Sequence, residues 1–177
     1  AAVLVRRLKD AGASVVPVLT RGGAQFITPL TLSALAENPV YEDLFSLKDE
    51  AEMGHIRLAR EADLILVAPA SADLIAKMAH GLTDDLASTT LLAADGPVAI
   101  APSMNPVMWA NPATQANVAT LMQRGIQVWG PADGDMACGE IGTGRFEEPE
   151  DLVARTLAFF APKPLAGNRA LGTAGPT

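Results

Sequence analysis

Apolar and polar positions along this chain switch between two patterns. Short continuous apolar runs alternate with stretches in which apolar residues return every three or four positions. The opening AAVLVRRLKDAG carries Leu4, Leu8 and Ala11 on one helical face and stops at Gly12. Residues 14–19 (SVVPVL) predict a strand, with Pro17 arguing against a central place because proline donates no ladder hydrogen bond. Residues 63–68 (DLILVA) read as a strand buried on both faces, 97–101 (PVAIA) as another, and 126–129 (IQVW) as a shorter fourth. Helices are expected at about 71–81, 84–94, 111–124 and 148–160, with a further one from His55 to about Glu61.

Strand–helix alternation with short loops implies a parallel sheet covered on both faces. In open sheets of this kind ligands bind outside the carboxyl ends of the strands. The segments richest in chemistry all follow predicted strands: Thr20-Arg21-Gly22, then Pro69-Ala70-Ser71-Ala72, then Pro102-Ser103-Met104-Asn105, then Gly130 and the loop around Cys138. A small-molecule site built from four converging loops is the expectation. Both ends look cut: residue 1 already lies in a helical pattern, APKPLAGN at 161–168 reads as a linker, and RALGTAGPT at 169–177 reads as a strand entering a Gly-Pro turn.

Composition narrows the function classes. At 177 residues and 49% apolar, the chain has enough for one well-packed α/β domain. Its net charge of −7, without a basic stripe, argues against nucleic acid as a partner. No apolar run approaches the ~20 residues of a membrane span. The single cysteine excludes an internal disulfide and suits a reducing cytoplasm.

Each candidate residue has a plain alternative. His55 is a capping or exposed histidine, or a general base, since its ordinary pKa lies near neutrality. His80, before Gly81, suits the C-terminal end of a helix and is assigned to structure. Asn105, before Pro106, is a turn former, or an amide aimed at a carboxylate or amide of a substrate; Met104, Met108 and Trp109 either wall that site or only pack. Cys138 lies among Gly139, Gly142 and Gly144, which favours an accessible thiol. It is a nucleophile if its pKa is depressed and a proton donor if it is not; Glu140 nearby favours the donor. With no second cysteine and two histidines, the spacing does not resemble a metal site. Residues 20–23 and 69–73 offer hydroxyls and backbone N–H groups suited to phosphate or a flavin edge, with helix capping by Ser71 as the alternative. Asp84 and Asp85 are expected to begin the next helix as cap and first-turn acid.

Taken together, HIRLAREADLILVAPASADLIAKMAHGLTDDLASTTLLA, APSMNPVMW and ACGEIGTGRF resemble the flavin-dependent cysteine decarboxylases, and within them the 4′-phosphopantothenoylcysteine decarboxylase branch. The likeness covers essentially the whole chain; KPLAGNRALGTAGPT resembles the start of a CTP-dependent phosphopantothenate–cysteine ligase domain. The resemblance implies an α/β fold, a Rossmann-like (flavodoxin-like) doubly wound parallel sheet in three layers with its first strand missing. It implies a decarboxylase domain at 1–160, a linker at 161–168 and the first ligase residues at 169–177. It implies FMN as cofactor, with CTP and Mg2+ belonging only to the missing ligase domain, and FMN-dependent decarboxylation of 4′-phosphopantothenoyl-L-cysteine to 4′-phosphopantetheine in coenzyme A biosynthesis. Thr20, Arg21 and Gly22 would line the FMN phosphate or ribityl chain, and Ser71, Ala72, Asp73, Leu74 and Ser103 would border the flavin. His55 would be the catalytic base, Asn105 would bind the substrate carboxylate, Asp135, Ala137 and Phe146 would touch substrate on a glycine-rich clamp, and Cys138 would donate the proton. Asp73 stands where many members carry asparagine. A homotrimer or a higher multiple such as a dodecamer is implied, in the cytoplasm. The rival readings are a decarboxylase of peptidyl cysteines, a flavin-prenylating enzyme and a flavin-binding regulatory module.

Overall fold

The computed structural model describes residues 1–44, 54–135 and 139–162. Helix α1 (Ala2–Asp10) is followed by a short 3-10 turn at Gly23–Gln25, α2 (Pro29–Ala36) and α3 (Gly54–Glu61). Strand β1 (Ile65–Ala70) leads to α4 (Ala72–His80) and α5 (Leu86–Leu92), then β2 (Val98–Pro102), α6 (Pro106–Ala110) and α7 (Pro112–Gln123). Strand β3 (Gln127–Val128), the pair β4 (Ala132–Asp135) and β5 (Ile141–Arg145), and α8 (Pro149–Phe160) complete the order. Among the described residues no helix is long and apolar enough to cross a membrane.

Strands β1, β2 and β3 form a parallel sheet in that order, with Ile65 opposite Val98 and Ala99 opposite Gln127. Alternate residues of each strand face opposite layers, as a pleated strand requires. On one face, Val67, Ile100 and Val128 pack with Ile75 and Ala79 of α4 and Val118 and Leu121 of α7. On the other, Leu66, Ala99, Ala101 and Trp129 pack with Leu4 of α1 and Leu152 of α8. The result is three layers, helices on both faces of a parallel sheet, as the apolar runs predict. Ile75, Ile100, Leu121 and Leu152 are fully buried.

Two expectations change. Residues 14–19 do not form a strand; they contribute one parallel bridge, Val18 to Tyr41. Its hydrogen bonds are Tyr41 N–H to the Pro17 carbonyl at 3.0 Å and Leu19 N–H to the Tyr41 carbonyl at 2.8 Å. Pro17 accepts but has no N–H to donate, and the ladder does not extend. Asp84 is not the cap of α5, and Asp85 is not its first-turn acid. Asp85 is the N-cap, its carboxylate accepting from Ser88 N–H at 2.7 Å while Ser88 Oγ accepts from Asp85 N–H at 3.2 Å, a reciprocal capping box. Asp84 instead pairs with Lys77 of α4.

Helix starts repeat one device, a capping position followed by proline at the first helical residue, where the missing N–H costs nothing. It recurs at Thr28-Pro29, Asn105-Pro106, Asn111-Pro112 and Glu148-Pro149, the first three with side-chain caps. Helix α4 is capped by Ser71 Oγ, which accepts from Leu74 N–H at 3.2 Å, and ends at Gly81 in the left-handed region (φ +69°), where a side chain would be strained.

Candidate functional site

Three parallel strands aim their carboxyl ends the same way, so the segments that follow them gather at one edge. Ser71 follows β1, and Ser103, Met104 and Asn105 follow β2. Ser103 N–H donates to the Ala70 carbonyl at 3.0 Å, which ties these two loops together. His55 is the second residue of α3, the helix that precedes β1.

His55 is half-buried, and its Nδ1 is fully enclosed with no hydrogen-bond partner among the described residues. A buried unpaired imidazole nitrogen costs about 1–3 kcal/mol, so such an atom points to a ligand group that completes it. Ser71 uses its oxygen as a cap acceptor, which leaves its hydroxyl proton available to a ligand. Asp73, in the first turn of α4, pairs with Lys77 at 3.2 Å, and Lys77 also meets Asp84 at 2.9 Å. Hydrogen bonding to Asp84 first, and to Asp73 second, holds the Lys77 ammonium above its ordinary pKa; the same contact holds the Asp84 carboxyl below its own. Ala72 and Leu74 are half-buried on the same turn.

Thr20, Arg21 and Gly22 follow the Val18 bridge. Thr20 Oγ1 accepts from Gly23 N–H at 3.0 Å and closes a tight turn. A Cβ at Gly23 would lie 2.9 Å from Leu19 Cδ1, so a side chain there would push that methyl aside. Arg21 is exposed.

Asn105 is the N-cap of α6. Its Oδ1 accepts from Val107 N–H at 2.8 Å, while its Nδ2 donates to Glu140 Oε2. The turn-forming and amide-donating roles weighed for this residue coexist on its two atoms. Glu140 stands just before β5, an antiparallel partner of β4 with Asp135 opposite Ile141. The hairpin is seated on α6: Met104 N–H donates to the Gly144 carbonyl at 3.0 Å, and Gly142 lies against the Pro106 ring. Asp135 is exposed at the end of β4. Phe146 packs half-buried beside Leu4, Trp129 and Leu152. Met104 and Trp109 pack against the α4–α7 face of the core, whereas Met108 is about half exposed at 49%. Ala137 and Cys138 lie outside the described residues, as do 163–177.

An open depression of about 440 Å³ lies along α6 and the start of α7, lined by Pro106, Val107, Ala110, Asn111 and Pro112. It is shallow and lined by no titratable group, so Ser71, Ser103 and Asn105 after the strands, with the His55 Nδ1 that has no partner among the described residues, make the better candidate site. In the sequence Glu140 stands out only as a neighbour of Cys138. Its contact with Asn105, 35 positions away, has no local sequence signal. The Thr28-Pro29 helix start carries the local signature of a capping position and first-turn proline.

The family model described as Flavoprotein matches residues 1–161. The coenzyme A biosynthesis bifunctional protein CoaBC of Vibrio vulnificus is 55% identical over 174 residues, covering 98% of this chain and 43% of that protein. CoaBC of Escherichia coli K12 is 47% identical over 175 residues, again 98% and 43%. The chain therefore spans less than half the length of these relatives. Among solved structures, a PPC decarboxylase mutant complexed with pantothenoylaminoethenethiol superposes with a TM-score of 0.80 at 30% identity, covering 90% of this chain and 92% of that one. The FMN-binding protein AtHal3 gives 0.77 at 31%, covering 88% and 86%.

Proposed function

This chain belongs to the flavoprotein family, and we propose that within it the chain is the FMN-dependent decarboxylase unit of a coenzyme A biosynthesis protein, converting 4′-phosphopantothenoyl-L-cysteine to 4′-phosphopantetheine. The observation that carries the reading is the Asn105 side chain, locked by its own helix cap so that its N–H groups face outward and hold a carboxylate. The CoaBC relatives and the PPC decarboxylase structure support the same substrate.

The residues present fit a flavin mononucleotide. The enclosed His55 Nδ1, without a hydrogen-bond partner among the described residues, and the available Ser71 hydroxyl proton are complementary to the polar edge of a flavin ring. Thr20, Arg21 and Gly22 would hold the phosphate or ribityl chain, by backbone N–H groups and a guanidinium. Ser71, Ala72, Asp73, Leu74 and Ser103 would border the ring. When bound, FMN supplies the reversible two-electron oxidation of the cysteine moiety that makes loss of CO2 accessible.

The chain's own groups orient substrate and manage protons. Asn105 Nδ2 donates to the substrate carboxylate and fixes it until CO2 leaves. His55 accepts a proton at its imidazole. Asp135, Ala137 and Phe146 contribute to the substrate's surroundings, and Cys138 holds at Sγ the proton delivered to the product. Residues 1–160 form the decarboxylase unit, 161–168 a linker and 169–177 the first residues of a ligase unit, which alone would use CTP and Mg2+. We assign a homotrimer or a multiple such as a dodecamer, in the cytoplasm; exposed Phe26 (93%) and Leu30 (78%) offer apolar surface for subunit contact. Sedimentation that shows only monomer at micromolar concentration contradicts the assembly.

The function is tested with full-length, FMN-loaded protein and 4′-phosphopantothenoylcysteine, products read by mass spectrometry. Wild type is expected to give 4′-phosphopantetheine, and Cys138→Ala to stop at a decarboxylated but still oxidised product. A flavin-loaded wild type that leaves this substrate intact while decarboxylating a peptide with a C-terminal cysteine would move the chain to the peptidyl branch.

A further inference from the structure

We propose that the Glu140 carboxylate is an internal stand-in for the substrate's carboxylate: it holds the Asn105 amide until substrate displaces it, and reclaims that amide once CO2 has left. The inference rests on the decarboxylase reading above and adds to it a residue that competes with the substrate carboxylate for one donor.

The amide's orientation is fixed by chemistry. A carboxamide has one acceptor atom and one donor atom, and the Val107 and Met108 N–H groups, at 2.8 and 3.4 Å, require the acceptor. Turning the amide over would set donors against donors. Asn105 therefore presents only N–H groups outward, and its complement is an acceptor, best an anionic one. The structure contains that complement, since Nδ2 donates to Glu140 Oε2.

The hairpin puts Glu140 there. Gly142 sits against Pro106, where a Cβ would be 3.2 Å from the proline Cβ, and Gly144 accepts from Met104 N–H at 3.0 Å. These contacts bracket Asn105, and they register Glu140, the residue before β5, onto its amide. The contact is solvent-exposed, so an incoming carboxylate reaches the donor directly.

Substrate binding then exchanges one carboxylate for another on the same donor. A ligand without a carboxylate has nothing to exchange. The decarboxylated product has no group for this donor, so it gains nothing from Asn105, which returns to Glu140.

The test measures binding calorimetrically with two unreactive probes on full-length, FMN-loaded protein. They are 4′-phosphopantothenoyl-L-serine, which keeps the carboxylate, and 4′-phosphopantothenoyl-ethanolamine, which lacks it. Glu140→Gln and Glu140→Ala are expected to bind the serine probe about five- to tenfold tighter than wild type, because a charge-assisted competitor is weakened or removed. The ethanolamine probe is expected to bind all three forms alike. Adding Asn105→Ala is expected to erase the gain. Equal shifts for both probes, or a serine probe held as tightly by wild type as by the variants, overturn the proposal. If the serine probe depends on Asn105 but not on Glu140, the stand-in falls and the decarboxylase reading stands. If neither probe binds any form, both fall. Flavin content and thermal midpoint of each variant confirm that the fold is retained.

Discussion

The Met104 N–H donates to the Gly144 carbonyl at 3.0 Å, and this bond joins the loop leaving β2 to the strand that returns from the glycine-rich segment. Two stretches some forty positions apart thereby become one rigid seam, with Asn105 on one side and Glu140 on the other. Preorganisation of this kind is what a site needs to hold a carboxylate in one orientation while it is lost.

Gly142 keeps that seam closed. A side chain there meets the Pro106 ring, which is the first residue of α6 and has little freedom to retreat. Gly142→Val is expected to raise KM on the order of tenfold, the scale of an overpacked contact, while flavin content stays at the wild-type level. Steady-state kinetics on the FMN-loaded protein check it.

Ser71 and Asp85 cap neighbouring helices, and only the first is proposed to border the flavin. Asp85→Ala is expected to cost about 1–2 kcal/mol in urea unfolding and to leave FMN affinity unchanged. Ser71→Ala is expected to cost about 1 kcal/mol and also to weaken FMN binding, measured by quenching of flavin fluorescence.

The Lys77–Asp84 contact has a definite pH signature. The Asp84 carboxyl is held below its ordinary value, so its contribution to stability is present above about pH 3.9 and is lost as pH falls through the folded value. The Lys77 ammonium is held above its ordinary value, so its contribution is full below about pH 10.4 and is lost as pH rises through the folded value. Lys77→Met is expected to lower the urea midpoint across the neutral plateau, with the gap from wild type closing at both extremes. A gap that is constant with pH would assign the loss to packing alone.

His55→Gln is expected to lower kcat by about 10²–10⁴, the range for loss of a general base, with FMN still bound. Loss of FMN without loss of turnover per bound flavin would leave His55 a cofactor contact alone, with no part as a base.

The layers were legible because burial leaves a periodic mark. The run at 97–101 became β2 within one residue, and Val118 and Leu121 mark the buried face of the predicted 111–124 helix. Pro17 carried the warning that residues 14–19 would pair weakly. The site was legible only in part. Ser71, Asn105 and His55 follow strands or open helices, positions that a sequence can suggest. The Asn105–Glu140 contact depends on how a hairpin folds back over α6, and no local propensity encodes that. The β4–β5 pair itself was hidden because glycines at 134, 142 and 144 erase the apolar alternation that usually announces strands.

The most direct test of the central claim is release of carboxyl-labelled CO2 from 4′-phosphopantothenoyl-L-cysteine by full-length, FMN-loaded protein, wild type against Asn105→Ala. The account predicts rapid label release by wild type and a loss of at least about a hundredfold in kcat/KM for the variant, with flavin content unchanged. Equal release by both forms would contradict it, because the carboxylate would then be held somewhere other than Asn105.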